Sequence, residues 1–244
     1  MTRIYDANNH ILIHTGYGHP MGHCHMAAHI IIPIHGKLKV ISNETEYLCY
    51  GIMLPSGSPH MIDTYKNDAL VFLYDCTTYV AKQIQNISLI SEENCKRIVD
   101  LYFDFQNKCS KDEYSEFEKS VLKQLKIRNS VSYISDERIA SAVNYICSGL
   151  SKQITCKEVA DRVYLSQGRF SHLFKEQVGM TFAAYLIYRR IMFAYGEMFK
   201  GKTITEAALS AGFCGSSHFA DVNRRVFGLS VSSITRDIEF IKIK

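Results

Sequence analysis

Two hydrophobic periodicities divide this chain of 244 residues. From Ile11 to about Val80 the apolar positions fall in short β-rich runs: Ile30-Ile31-Ile32, Leu38-Lys39-Val40-Ile41, Ile52-Met53-Leu54 and Leu70-Val71-Phe72-Leu73-Tyr74. Gly36, Asn43-Glu44, Ser56-Gly57 and Asn67-Asp68 punctuate them, as turn residues do between strands. Many short, evenly spaced strands predict a small antiparallel barrel or jelly roll. Beyond residue 89 the spacing turns helical. Ser91-Glu92-Glu93-Asn94 can open a helix, and Ile98, Leu101, Tyr102 and Phe105 carry its apolar stripe. After a break at Asn107-Lys108-Cys109-Ser110-Lys111-Asp112, a second stripe runs through Phe117, Val121, Leu122 and Leu125. These two amphipathic helices are expected to pack on the strands or to form a dimer seam. Arg128 to Ser135, polar and Ser-rich, reads as a linker, and Asp136 opens a helical domain whose first helix is Arg138 to Cys147. The expected fold class is α+β in two domains. A β-barrel would occupy residues 1–85, a helical extension 86–127 and an all-α domain 136–240.

The helical domain contains one local pattern twice. Thr155-Cys156-Lys157-Glu158 precedes Val159-Ala160, and Thr203-Ile204-Thr205-Glu206 precedes Ala207-Ala208, an offset of 48 residues. Each is a Thr-x-x-Glu capping box, in which hydroxyl and carboxylate satisfy orphan N–H groups at a helix start. Phe170-x-x-Leu173-Phe174-Lys175 recurs as Phe219-x-x-Val222-Asn223-Arg224, and Gly179 recurs as Gly228, both at an offset of 49. The second copy therefore carries one extra residue in its turn, Gly212-Phe213-Cys214-Gly215. Each copy reads as a short helix, a tight turn and a second helix.

In the first copy Phe170, Leu173, Phe174 and Val178 make one buried stripe. The outer face keeps Gly168, Arg169, Ser171, His172 and Lys175. Small, polar and basic side chains there suit a major groove, where hydroxyl and N–H groups reach base edges and cations reach phosphates. In the second copy Phe219, Val222 and Val226 are expected inside. Ser216, Ser217, Ala220, Asp221 and Arg224 are then outside.

Residues 136–236 resemble the DNA-binding domain of the AraC/XylS family of transcriptional regulators. The run Thr205-Glu206-Ala207-Ala208-x-x-Ala211-Gly212-Phe213-x-x-Ser216-Ser217-His218-Phe219 carries the resemblance most specifically. It implies two helix-turn-helix units joined by a long helix, here Phe182 to Phe199, about 27 Å at 1.5 Å per residue. Such a strut can hold two reading helices near one DNA turn apart, about 34 Å. DNA contacts are expected from Gln167, Gly168, Arg169, Ser171, His172 and Lys175, and from Ser216, Ser217 and Arg224. Three residues depart from the family pattern. Asn223 replaces an aromatic core residue, Val231 replaces a Pro, and Asp221 puts an acid on the groove-facing side. The first unit is therefore expected to do most of the reading. The resemblance further implies double-stranded DNA as partner, with RNA polymerase and a second copy of the chain as candidate partners.

Charge sharpens the division. Residues 136–244 hold 15 Lys and Arg against 10 Asp and Glu, a net of +5, whereas residues 1–135 hold 13 against 14, a net of −1. A basic C-terminal half suits nucleic acid. No apolar run approaches the ~18 residues of a membrane span. No secretory core follows Met-Thr-Arg-Ile-Tyr-Asp, and the eight Cys are scattered without Cys-x-x-Cys pairs. These features predict a cytoplasmic protein with reduced thiols and no membrane partner.

Histidine is skewed the other way, with eight of ten in the first 60 residues. His23, His25 and His29 share strand parity, and His60 follows the turn Pro55-x-Gly57. The two blocks resemble the two motifs of the cupin superfamily, with His29 in place of a Glu and the second block two residues short. Cupin-like sensors commonly precede this DNA-binding domain in AraC-type regulators. His23, His25, His29 and His60 could hold Zn²⁺, Ni²⁺, Cu²⁺ or Fe²⁺. They could instead line a metal-free ligand pocket, or serve structure alone. His14, His19 and His35 are expected at rims or turns, and Cys24 on the face opposite the histidines. The reading is a non-enzymatic regulator whose barrel senses a small molecule or metal. The alternatives are a constitutive DNA binder with a vestigial barrel, or a metal cupin enzyme fused to a reader, against which no Asp or Glu stands in the motifs as a general base.

Overall fold

The structure is a computed structural model that describes residues 2–7, 10–16, 22–24, 26–107, 110–128, 134–149, 154–227, 231 and 238–243. His25, Gly228 and most of the expected linker lie outside the described residues. The chain divides into two compact units, Met1–Val131 with Ser232–Lys244, and Ser132–Val231.

The first unit contains, in chain order, strands β1 (Thr2–Asp6), β2 (His10–Gly16), β3 (Ala28–Pro33), β4 (Leu38–Ser42), β5 (Thr45–Cys49), β6 (Ile52–Leu54), β7 (Met61–Asp63) and β8 (Asp68–Tyr74). A short helix α1 (Tyr79–Gln83), strand β9 (Ser88–Leu89) and helices α2 (Glu92–Phe105) and α3 (Lys111–Gln124) follow. From the far end of the chain comes the strand Ile238–Lys242, labelled β10. Seven strands form a sheet in the order β10-β1-β2-β8-β3-β6-β9, and β5-β4-β7 form a second sheet. β10 lies parallel to β1, with Arg3 opposite Glu239, and Arg3 Nε meets Glu239 Oε2 at 2.8 Å. The expected C-terminal limit of the helical domain at residue 240 therefore differs from the structure, because these residues complete the first unit's sheet edge.

Among the described residues the strands do not close into the expected barrel. β3 and β8 are buried on both faces, so they read as continuous apolar runs rather than as alternation. Ile31, Val71, Ile52 and Leu54 pack with Leu38, Val40 and Ile62 of the smaller sheet. On the other face Leu12, Ile30, Leu70 and Phe72 pack with Ile98, Tyr102, Phe105, Phe117 and Val121 of α2 and α3. Helices cover the face that a closed barrel would leave to solvent, and the larger sheet stays open. The apolar stripes of residues 92–105 and 111–124 thus pack on this sheet. Ser91 caps α2, and Ser110 with Glu113 forms a capping box on α3. Gly51 admits the close approach of α2, since a Cβ there would stand 2.6 Å from Cys95 Sγ.

The second unit is all helix: α4 (Glu137–Ser148), α5 (Cys156–Arg162), α6 (Gln167–Val178), α7 (Phe182–Phe199), α8 (Ile204–Ser210) and α9 (Ser216–Phe227). Asp136 caps α4, and its carboxyl is held down at about 2 chiefly by the hydrogen-bonded Arg138 guanidinium. Gly179 ends α6 at φ 88°, in the left-handed region that favours glycine.

Candidate nucleic-acid interface

The two helix pairs are built alike. Thr155 Oγ1 accepts from Glu158 N at 3.1 Å while the Glu158 carboxylate accepts from Thr155 N at 3.5 Å. Thr203 Oγ1 accepts from Glu206 N at 3.2 Å, and Glu206 Oε2 accepts from Thr203 N at 2.9 Å. Ser166 caps α6 by accepting from Arg169 N at 3.3 Å. Phe170, Leu173, Phe174 and Val178 are buried on α6. Phe174 meets Phe182 and Tyr185 of α7 at ring separations of 5.9 and 5.7 Å. In the second pair Phe219 sits 5.7 Å from Tyr195 and 5.2 Å from Phe213. The helix α7 touches α6, α8 and α9 and so joins the two pairs. Arg190 of α7 lies against the second turn, where a Cβ on Gly212 would stand 3.3 Å from its guanidinium.

With the aromatic side committed to the core, the outer face of α6 is determined. Gln167, Gly168, Arg169, Ser171, His172 and Lys175 are all exposed. Ser171 Oγ lies 3.4 Å from Cys156 Sγ of α5, and His172 Nδ1 lies 3.8 Å from Glu176 Oε2. Arg169 and Lys175 form no ion pair among the described residues, so their charge is available to an external anion. On α9, Ser217 and Arg224 are exposed and Ser216 is half-buried. Asp221 is exposed among them. Asn223 is fully buried and accepts a 2.8 Å hydrogen bond from the Tyr195 hydroxyl. A polar pair thus fills the core position where the repeat has Phe174.

The histidine-rich segment makes a different arrangement. His23 and His60 form an antiparallel bridge, with N–H to O distances of 2.9 and 2.8 Å. The His60 ring stands 4.4 Å from that of His23 and 4.5 Å from that of His29. His60 Nδ1 lies 2.8 Å from Ser58 O, and burial, helped by His23, pulls its pKa down to about 4. Three of the four expected residues are therefore together. Among the described residues no three His, Cys, Asp or Glu side chains are placed to hold a metal ion. Cys24 is exposed and its thiol donates to Gly57 O at 3.1 Å.

A second polar group was not singled out in the sequence. His10 and His14 share parity with Leu12 and so face the helices. His10 Nε2 lies 2.6 Å from the Tyr114 hydroxyl, and its ring stacks on Tyr74 at 4.5 Å. Tyr74 donates to Glu118 Oε1 at 3.2 Å. Burial lowers the pKa of His10 to about 3 and raises that of Glu118. The signal lay in the alternation His10-x-Leu12-x-His14 and in Glu118 interrupting the α3 stripe.

Comparison with known proteins agrees with the duplicated helix pairs. A family described as a helix-turn-helix domain matches residues 159–237. The probable transcriptional regulator LumQ of Photobacterium leiognathi is 33% identical over 88 residues, 36% of each chain. The regulatory protein PocR of Salmonella typhimurium is 30% identical over 104 residues, 42% of this chain and 34% of PocR. The chain thus matches about a third of the length of these relatives. In fold, apo ToxT from Vibrio cholerae covers 93% of this chain and 97% of its own, at a TM-score of 0.60 and 13% identity. Wild-type ToxT bound to an unsaturated fatty acid covers 91% of this chain and 92% of its own, also at a TM-score of 0.60 and 13% identity. The C-terminal unit therefore contains an AraC-type helix-turn-helix domain, matched over residues 159–237.

Proposed function

We propose that the chain is a sequence-specific, DNA-binding transcriptional regulator whose N-terminal unit senses a small molecule. The observation that carries this reading is the outer face of α6. It presents Gln167, Gly168, Arg169, Ser171, His172 and Lys175 to solvent on a helix fixed from behind by Phe170 and Phe174. Arg169 and His172 read base edges, Lys175 reaches phosphate, and Ser216, Ser217 and Arg224 of the second pair bind more weakly because Asp221 repels phosphate. RNA polymerase and a second copy of the chain are partners in this reading. ToxT of the same fold has been solved with an unsaturated fatty acid. A carboxylate with an apolar tail is therefore the first effector class to test on the N-terminal unit. Fluorescence anisotropy on duplexes enriched from a random pool tests both parts. Sequence-selective binding that shifts with such carboxylates supports the reading. Binding indifferent to effectors and intact in a chain beginning at Asp136 makes the protein a constitutive binder.

A metal-dependent sensor is a second reading, favoured by the placement of His60 between His23 and His29. His25 would complete the ligand set, and neutral imidazoles suit Zn²⁺, Ni²⁺, Cu²⁺ or Fe²⁺. Metal content of untagged protein, with a His23→Ala/His60→Ala variant as control, tests it. About one metal per chain, lost in the variant, supports the site. Metal-free preparations, aerobic and anaerobic alike, exclude it.

A further inference from the structure

The turn between α5 and α6 holds a residue that folding does not explain. Tyr164 is 95% exposed, and its φ of 56° lies in the left-handed region. The backbone dictates that conformation. Tyr164 N donates to Asp161 O at 3.1 Å, and Leu165 N donates to Ala160 O at 2.9 Å, so α5 is closed off from both sides of the residue. Glycine is the residue such a turn favours, because a Cβ there crowds the following carbonyl. A tyrosine accepts that disadvantage and buries no ring in return. Its side chain has no hydrogen bond, ring contact or ion pair among the described residues.

Its position supplies a use. Tyr164 stands two residues before the N-cap Ser166, at the end of α6 where Gln167, Gly168 and Arg169 are exposed. In a helix-turn-helix the second helix enters the major groove by its N-terminal residues while the first helix crosses the backbone. The turn between them then lies along the phosphate rim of that groove. Tyrosine hydroxyls are among the groups that bond phosphate oxygens there and set register without reading sequence. We propose that Tyr164 is a DNA-backbone contact of the first unit, its hydroxyl donating to a phosphate oxygen at the rim of the groove that α6 enters. The proposal rests on the DNA-binding reading above.

The test uses the full chain, a duplex enriched from a random pool by the wild-type protein, and an unrelated duplex. Tyr164→Phe keeps the ring and the turn and removes only the hydroxyl. It is expected to weaken binding to both duplexes by about three- to tenfold, the range of one neutral hydrogen bond, with the ratio between them unchanged. Ethylation interference is expected to lose one sensitive phosphate in this variant. Tyr164→Gly is expected to weaken binding at least as much while its thermal midpoint stays equal or rises, since glycine relieves the left-handed turn. Wild-type affinity in both variants overturns the proposal, and a loss confined to the enriched duplex overturns the backbone assignment in favour of a base contact. Arg169→Ala separates the two readings. If it loses selectivity while both Tyr164 variants bind normally, only the proposal fails. If the wild type enriches no duplex, the DNA-binding reading fails and takes the proposal with it.

Discussion

The Tyr195 hydroxyl and Asn223 Oδ1 form a 2.8 Å hydrogen bond inside the second helix pair, with both residues buried. A lone Asn in that position would be costly, because an amide removed from water needs partners. Tyr195→Phe removes one of them and should lower stability by about 1–3 kcal/mol. Asn223→Leu should cost a similar amount, and the double variant less than the sum, because the two side chains act together. Urea unfolding of the four proteins measures this, and strict additivity would disprove the coupling.

Arg169→Ala and His172→Ala should each cost about 1–3 kcal/mol on a selected duplex and little on an unrelated one. Lys175→Ala should instead weaken both and reduce the salt slope by about one. Anisotropy titrations at several salt concentrations separate the two patterns. An equal loss on all sequences for Arg169→Ala would make it a phosphate contact.

Removing the acid from α9 should strengthen binding. Asp221 is exposed beside Arg224 on the face away from the core. Asp221→Asn keeps the shape and deletes the repulsion, so affinity should rise several-fold at low salt and converge with wild type at high salt, where screening shortens the Debye length to about 3 Å at 1 M. Affinity unchanged at low salt would place Asp221 away from the DNA.

Phe170→Ala should lower stability of the helical unit by about 3–5 kcal/mol through the cavity it leaves. Phe170 is fully buried and packs 5.4 Å from Phe174 and 5.7 Å from Phe182. Calorimetry would show a lowered transition for that unit, and DNA binding should fall with it.

Acid should destabilise the first unit through its buried histidines. Burial lowers His10 to about 3 and His60 to about 4, so the unfolded chain binds the proton first. Stability is unaffected above the ordinary histidine value and declines as pH falls below about 6.5, by about 2 kcal/mol per histidine at pH 5. Glu118, raised by burial, acts in the opposite sense and offsets part of the loss. Urea midpoints at pH 7.5 and pH 5 should therefore converge in a His60→Asn variant relative to wild type. An equal pH dependence in both would remove His60 as a cause.

The helical unit was legible residue by residue. Thr155, Glu158, Thr203 and Glu206 make the capping bonds that their spacing implies, and α7 spans Phe182–Phe199 as expected. Local rules suffice there because caps and 3.6-residue stripes act within a few residues of chain. The strands β3, β4, β6 and β8 were equally visible. β1, with Ile4 at its centre, and β10 were not, because β10 is specified by a partner more than 200 residues away.

Sequence alone determined the helix-turn-helix pairs, the face of α6 turned to solvent, and the clustering of histidine near the N-terminus. Each follows from periodicity or from residue type. Tertiary structure decided which sheet face each strand residue occupies. That choice left the strands as two open sheets with α2 and α3 over one face, and it set His10 with Tyr114 and Glu118 on one side and His23, His29 and His60 on the other. The physical reason is that parity fixes which residues share a face, whereas only packing between distant segments determines what covers that face.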